Sequence, residues 1–343
     1  MRVAFFVPGR IATISGGYGY DRAVVTGLRG LGHEVEVIEL AGAHPVPDAA
    51  AMAAAQAGWA AMAADAVPVI DGLGLPAFAG LTEEFAARGV VGLIHHPTAL
   101  EAGRAEPARD ALKATERAMF PKLARVIVTS APTGERVVAE FGVDPARLRV
   151  VVPGTAEAPR SPGSGGPGCE ILAVGGLIPR KGYEVLIRSL ARLFDLDWRL
   201  TIAGGPLDGV HAHGLRALVE ELGVAQRVVF AGEVVDAALE ALWARTDLFA
   251  LATEYEGYGM AIAEALKRGI PVAVTNGGAA AALTTAESGV VCEVGDVVTL
   301  SKALRRLIFD LPLRRNSAAE AWRIGQTLPD WAAQARAFAA ALA

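Results

Sequence analysis

Two glutamates separated by seven residues bracket a glycine-rich turn in the run Thr253-Glu254-Tyr255-Glu256-Gly257-Tyr258-Gly259-Met260-Ala261-Ile262-Ala263-Glu264. Gly257 and Gly259 let the backbone turn tightly and come close to a ligand. The helical pattern that follows begins with the N–H groups of Met260 and Ala261, which lack intrahelical partners, and its positive end suits a diphosphate. Carboxylates cannot bind phosphate, but they accept hydrogen bonds from hydroxyls. A sugar on one side of the turn and a ribose on the other would occupy both Glu256 and Glu264. The plainer alternative is a surface glutamate plus a helical one paired with Lys267 or Arg268.

Three further segments agree with that chemistry. Gly175-Gly176-Leu177-Ile178-Pro179-Arg180-Lys181-Gly182 sets adjacent cations at a glycine-rich helix entry. Arg180 by its fork and Lys181 as a point charge can neutralise a departing diphosphate, whose charge grows in the transition state. A merely solvated basic pair would be disfavoured there by the helix dipole. Gly16-Gly17-Tyr18-Gly19 reads as a phosphate-accommodating loop between a strand and a helix. A dinucleotide fingerprint with Glu39 fails on it, because Arg22 stands where a third small residue is needed and the glycines lie far from the strand end at Val7. Ile94-His95-His96-Pro97 places two histidines at a strand's carboxyl end, directed at a cleft. His33, between a capping glycine and a strand, reads as structural.

The elements that must position these residues alternate along the chain. Unbroken apolar runs at residues 2–7, 34–40, 67–70, 90–94, 125–129 and 148–152, and again at 170–174, 199–203, 227–230, 248–252 and 271–275, read as parallel strands covered on both faces. Helical patterns fall between them, at 21–31, 108–120, 132–141, 182–194, 215–222, 236–245 and 259–268. Residues 154–168, with Pro159, Pro162, Pro167 and several glycines, read as a flexible linker. Two doubly wound α/β domains result, and ligands in such sheets sit beyond the carboxyl ends of the strands.

Glu256 and Glu264, with Gly-Tyr-Gly after the first, resemble the signature of family-4 retaining glycosyltransferases, the group 1 glycosyltransferases. Arg180-Lys181-Gly182 is similar to that family's Arg-Lys-Gly segment, and His95-His96-Pro97 to its His-x-Pro. Gly204-Gly205-Pro206 is similar to its Gly-x-Gly-Pro turn, and residues 230–234, ending in Val234, to the segment whose backbone meets the nucleobase. The resemblance spans nearly the whole chain and is sharpest between Gly175 and Gly278. It implies the GT-B fold: two Rossmann-like domains facing a central cleft, an acceptor-side domain over 1–155, a linker over 156–169, a nucleotide-sugar domain over 170–327, and a C-terminal helix, about 328–343, packing back on the first.

The resemblance also implies site roles. Glu256 lies against the donor sugar, Glu264 on the ribose, and His95 near the reacting phosphate. Gly16 and Gly17 cover the donor phosphates. Gly176, Gly204, Val234, Gly257, Tyr258, Gly259, Met260 and Ala261 complete the donor site, with Asn276-Gly277-Gly278 as its floor. The implied activity is hexose transfer from a UDP or GDP sugar to a hydroxyl acceptor with retention, needing no cofactor and no metal. Val152-Pro153-Gly154-Thr155 departs from the family's Pro-Asn-Gly-x-Asp at the domain junction.

Composition narrows the remaining classes. The chain has 343 residues, 52% hydrophobic and 20% charged, with a formal net charge of -5. Two large cores are therefore feasible, and a general nucleic-acid footprint is not expected. The 2 cysteines, Cys169 in the linker and Cys292 beside a strand, have no metal-like spacing and read as reduced, as in a cytoplasmic protein. The chain enters directly on a strand, so no signal peptide is expected. Asp195-Leu196-Asp197 reads as a solvated turn, and His211-x-His213 lacks a third ligand nearby. Arg104, Arg109, Lys113, Arg117 and Lys122 leave room for peripheral contact with an anionic lipid or glycan acceptor, although Glu106, Asp110 and Glu116 dilute the patch. Rival functions are a sugar-nucleotide 2-epimerase on the same fold, an NAD-dependent oxidoreductase using Gly17, Gly19 and Glu39, and a non-catalytic nucleotide-sugar binder.

Overall fold

The computed structural model describes residues 1–101, 105–205 and 209–343. Arg104 and Pro206 lie outside the described residues. The chain divides into two units, residues 1–154 with 329–343 and residues 155–328, each built on its own six-stranded parallel sheet.

In the first unit β1 (Arg2–Pro8), β2 (Glu34–Leu40), β3 (Val67–Asp71), β4 (Val91–Ile94), β5 (Arg125–Val128) and β6 (Leu148–Val150) stand in the order β2-β1-β3-β4-β5-β6. Every β1 residue after Arg2 is buried, as a central parallel strand requires. Val3 pairs with Val35 on one side and Val67 on the other. The helices are α1 (Gly16–Gly30), α2 (Ala49–Ala61), α3 (Phe85–Arg88), α4 (Glu106–Met119) and α5 (Ala131–Phe141). The direction of winding changes between β1 and β3, so the carboxyl ends of those strands flank a natural crevice.

In the second unit β7 (Cys169–Val174), β8 (Trp198–Ala203), β9 (Val228–Gly232), β10 (Leu248–Leu251), β11 (Val272–Thr275) and β12 (Gly289–Cys292) stand in the order β12-β11-β10-β7-β8-β9. Here the reversal falls between β7 and β10. The helices are α6 (Tyr183–Ala191), α7 (Gly209–Glu221), α8 (Asp236–Ala244), α9 (Met260–Lys267), α10 (Val297–Phe309) and α11 (Leu311–Gly325). α11 lies so close to α9 that a Cβ on Gly325 would come within 2.2 Å of the Leu266 carbonyl oxygen.

The last helix, α12 (Trp331–Leu342), belongs to the first unit. Asp330 caps it by accepting from the Ala333 N–H at 2.6 Å. A Cβ on Gly27 of α1 would stand 2.4 Å from the Ala335 Cβ, so the two helices meet through small residues. Tyr20 packs edge-on to Trp331 at 5.7 Å.

Several expectations are corrected. Gly16 to Gly19 are not a loop but the opening turn of α1, which Ser15 caps by accepting from the Tyr18 N–H. An N-cap serine outweighs the poor helix propensity of glycine there. Residues 155–168 carry no regular structure yet are pinned to the second unit rather than free. The Ser161 hydroxyl reaches the carbonyls of Trp243 and Ala244 at 3.0 and 3.1 Å, and the Ser164 N–H donates to Asp247 at 3.1 Å. Cys169 opens β7 and is buried, so it is not a linker residue. α2, β12 and α10 were not expected as elements. α2 is nearly all alanine, with no clear apolar face to read, and it buries only Ala51, Ala55 and Trp59.

Candidate functional site

In the second unit β7 and β10 are hydrogen-bonded neighbours, so the loops leaving their carboxyl ends lie side by side. Gly182 makes this possible. It sits at φ +63°, and a Cβ there would be 1.9 Å from the Ala252 carbonyl oxygen. The backbones are then tied directly: the Glu254 N–H donates to the Arg180 carbonyl at 2.8 Å, and the Thr253 hydroxyl to the same oxygen at 3.0 Å. Arg180 and Lys181 occupy the short 3-10 turn Pro179–Lys181.

These contacts bring Arg180, Lys181 and Glu256 together. The Lys181 ammonium donates to Glu256 Oε1 at 2.5 Å, and Arg180 Nη1 lies 3.9 Å from the same oxygen while donating to the Tyr255 carbonyl at 2.6 Å. Glu256 is only 8% exposed. Burial pushes its pKa up, but the charges of Lys181 and Arg180 outweigh this and hold it below the usual carboxylate range. Two cations face one anion, leaving a net +1 at the strand ends. The Glu256 N–H donates to the Gly277 carbonyl at 3.1 Å and its carbonyl accepts from the Ala279 N–H at 2.8 Å, so Asn276-Gly277-Gly278 supports this loop from below.

Gly259, at φ +98°, caps α9 in the left-handed region. The first helical bond there runs from the Ala263 N–H to the Gly259 carbonyl, which leaves the Met260 and Ala261 N–H groups outside the ladder. Glu264 lies about one turn into α9. Its carboxyl has no hydrogen bond among the described residues. Burial, opposed by the Arg268 charge and reinforced by Glu240, pushes its pKa up to about 7. Tyr258 is largely buried, and burial pushes its phenol up to about 12. Gly176 and Gly204 follow the neighbouring strands β7 and β8. The Gly204 N–H donates to the Gly232 carbonyl at 2.7 Å, and a Cβ on Gly204 would be 1.9 Å from the Gly175 carbonyl oxygen. Val234, beyond β9, packs half-buried against the core. Gly257 stays half-buried between Glu256 and Tyr258.

In the first unit His95 follows β4. Its Nε2 lies 3.1 Å from Asp21 Oδ1 on α1 and 3.2 Å from Asp71 Oδ2 at the end of β3. Burial works against the imidazolium, but the two carboxylates raise its pKa well above the ordinary histidine value. Burial, together with the Asp71 charge, pushes Asp21 up. Gly17 stands against the same ring: a Cβ there would be 3.5 Å from His95 Cδ2. Gly16 begins α1 one residue earlier. Sequence reasoning therefore singled out Gly17 and His95, which the fold sets side by side, but not Asp21 or Asp71. An acidic residue ending the apolar run Val67-Pro68-Val69-Ile70 was the signal available for Asp71. Glu116 was missed too. It is buried on α4 and accepts from the Thr98 N–H at 2.7 Å and the Thr98 hydroxyl at 2.6 Å, anchoring the turn after His95-His96-Pro97. His96 turns instead to Glu101, at 2.5 Å.

Asp21, Asp71 and His95 are also the one group of metal-ligand types found within 4.8 Å among the described residues. Asp21 Oδ1 and Asp71 Oδ2 both meet the His95 Nε2, while Asp21 Oδ2 is buried without a partner. Asp195, in the Asp-x-Asp segment, pairs with Arg305 at 2.6 and 2.8 Å on the surface. Lys113 and Arg136 both pair with Glu140, which draws charge from the basic stretch.

Residues 156–322 match the family model described as glycosyl transferases group 1. Among curated proteins the chain is similar to the D-inositol 3-phosphate glycosyltransferases of Corynebacterium glutamicum (30% identical, 67% of this chain and 59% of that protein) and Acidothermus cellulolyticus (29%, 54% and 45%). The chain thus spans about half the length of the curated relatives it matches. Among solved structures it is similar to a sucrose-phosphate synthase from Thermosynechococcus elongatus (TM-score 0.84, 19% identity, 99% of this chain and 97% of that one). It is also similar to Anabaena HepE in complex with UDP and glucose (TM-score 0.77, 19%, 100% and 99%). At such identities the likeness shows the fold, GT-B.

Proposed function

We propose, on the match of residues 156–322 to the family model described as glycosyl transferases group 1, that the chain is a glycosyltransferase that moves a hexose from a nucleoside-diphosphate donor to a hydroxyl acceptor with retention and without a metal. The observation that carries this reading is the convergence of Arg180 and Lys181 on Glu256 beside the open N-terminus of α9, at the reversal of strand order. A net positive loop next to free helix N–H groups is built for a diphosphate, and a buried ionised carboxylate beside it for sugar hydroxyls. UDP is the preferred base, with GDP next; the HepE structure, in complex with UDP and glucose, supports that order.

In this reading the bond from the anomeric carbon to the diphosphate oxygen breaks, and Arg180 and Lys181 take up the charge that develops on the leaving group. Glu256 and the Gly257–Met260 backbone hold the sugar. Glu264 accepts from the ribose hydroxyls. The departing phosphate receives the acceptor's proton, and His95 stands near the reacting centre. The acceptor is a glycan, a lipid-linked sugar or a small molecule, reached in the cytoplasm. No helix among the described residues is long and apolar enough to cross a membrane.

The test is a thermal-shift titration against UDP, GDP, ADP, their hexose conjugates and NAD, since a ligand of the native state raises the melting temperature by mass action. A shift with one nucleoside diphosphate and its sugar, reduced in Arg180→Ala and Glu264→Ala, is expected. A shift with NAD alone would overturn the reading.

A further inference from the structure

The first unit holds a buried cluster that the transfer chemistry above does not use in full. Asp71 ends β3, Asp21 sits on α1 and His95 follows β4, so the three converge where the winding reverses between β1 and β3. Both carboxylates are almost fully buried, Asp21 at 0% and Asp71 at 5% exposure. Asp71 Oδ1 is occupied by the Leu73 N–H at 2.7 Å, while Asp21 Oδ2 is buried with no partner. Neither carboxylate is paired with a lysine or arginine among the described residues, so His95 is their one cationic partner. An Nε2 placed between two carboxylate oxygens carries its proton, and two buried carboxylates with no other cation beside them favour the charged ring over the neutral Nε2–H tautomer. Gly17 covers the Cδ2 side of the ring and Tyr20 packs edge-on at 5.2 Å. The Thr129 hydroxyl fixes the His95 carbonyl at 3.1 Å. The ring is about one-fifth exposed. Its Nδ1 has no partner among the described residues.

We propose that Asp21 and Asp71 act as positioning residues: they clamp His95 through Nε2 as a permanent imidazolium, so that its free Nδ1–H serves as a fixed hydrogen-bond donor to an oxygen of a ligand at the carboxyl ends of β3 and β4 and never as a base. The clamp itself rests on the geometry above; its target rests on the proposed transfer activity. The other titratable groups facing the cluster do not compete for this role. Tyr18 donates its hydroxyl to the Pro8 carbonyl, and burial together with Asp71, Asp21 and Glu39 raises it to about 12, so it stays neutral. His96 is turned to Glu101.

The experiment is a pH titration of the imidazole resonances of the full chain between pH 5 and 9 by NMR. The His95 signal is assigned with His95→Gln, and turnover is followed in parallel. In the wild type His95 stays protonated throughout. In Asp71→Asn, which keeps an acceptor oxygen but loses the charge, the His95 midpoint falls into the window. Turnover then declines on its alkaline side, where the wild type is flat. Asp21→Asn carries the same expectation should the first variant fold poorly. A wild-type His95 that titrates near 6.5, or a midpoint unmoved in both variants, overturns the clamp. So does stoichiometric Mn²⁺ that broadens the His95 signal away and raises turnover, since the cluster would then be a cation site. Absence of transfer from every sugar nucleotide, with His95 still protonated, refutes the function and His95's target while leaving the clamp standing.

Discussion

On the proposed function, Glu256→Gln should separate binding of the leaving group from transfer of the sugar. In the free protein Lys181 spends its charge on Glu256 Oε1 at 2.5 Å, with Arg180 Nη1 3.9 Å from the same oxygen. A diphosphate must compete with that carboxylate for both cations. Hydrogen bonds to charged groups contribute about 1.5–3 kcal/mol, and a neutral acceptor gives roughly half as much. The substitution therefore frees about 1 kcal/mol for the diphosphate and raises the loop charge from +1 to +2. The nucleoside diphosphate should bind about fivefold more tightly. The sugar loses an ionised hydrogen-bond acceptor, so transfer should fall on the order of 10²-fold, the scale seen when one transition-state contact is removed. Glutamine still accepts from Lys181, so the fold should survive. Removing one partner of a fully buried pair outright would cost about 3–5 kcal/mol, and a melting curve separates that outcome. Calorimetric titration with UDP alone, beside a transfer assay with the UDP-hexose, reads both effects. Unchanged UDP affinity together with wild-type turnover would refute the reasoning about this loop.

Glu264 gives a pH-dependent expectation. Burial raises its pKa from 4.5 to about 7, so between those values the native state binds more protons than the unfolded chain and stability falls as pH rises. Glu264→Gln should therefore melt higher than the wild type at pH 8 and no higher at pH 4, by fluorimetry; equal curves at pH 8 would contradict it. Donor affinity in the wild type should climb through pH 7 as the carboxylate ionises, and this rise should vanish in the variant. Gly17→Ala adds a methyl that meets the His95 ring at an ordinary 3.5 Å, and in a helix alanine gains up to about 1 kcal/mol over glycine. Its melting temperature should hold or rise while transfer drops at least about tenfold, a steric block at a close-approach position; full activity would remove Gly17 from the donor site. Gly27→Val should drive a side chain into Ala335, already 2.4 Å from an added Cβ. The cost of such overpacking is about 1–3 kcal/mol, read as a lower melting temperature with donor affinity unchanged.

Much of this molecule is legible locally. Unbroken apolar runs such as Val3–Val7 and Leu248–Ala252 mark parallel strands because both faces of such strands are covered, and no partner need be known to see it. Gly259 before Met260, and Arg180-Lys181 before Gly182, state a backbone conformation and a charge within a few residues. What lies between distant segments is not written in either one. The Lys181–Glu256 contact joins residues 75 positions apart, and it exists because strand order sets β7 against β10. Residues 155–168 look free in composition but are held by carbonyls and a carboxylate of a remote segment. Asp71 reads as a strand end and Asp21 as a helix residue until β1, β3 and β4 bring them to His95. Composition, periodicity and turn chemistry by themselves determined two doubly wound sheets and a glycine-framed turn before α9, since those depend on short-range sterics and burial. Which charges face one another inside the fold was decided by the tertiary structure alone, because buried electrostatics depends on distance in space and not on separation along the chain.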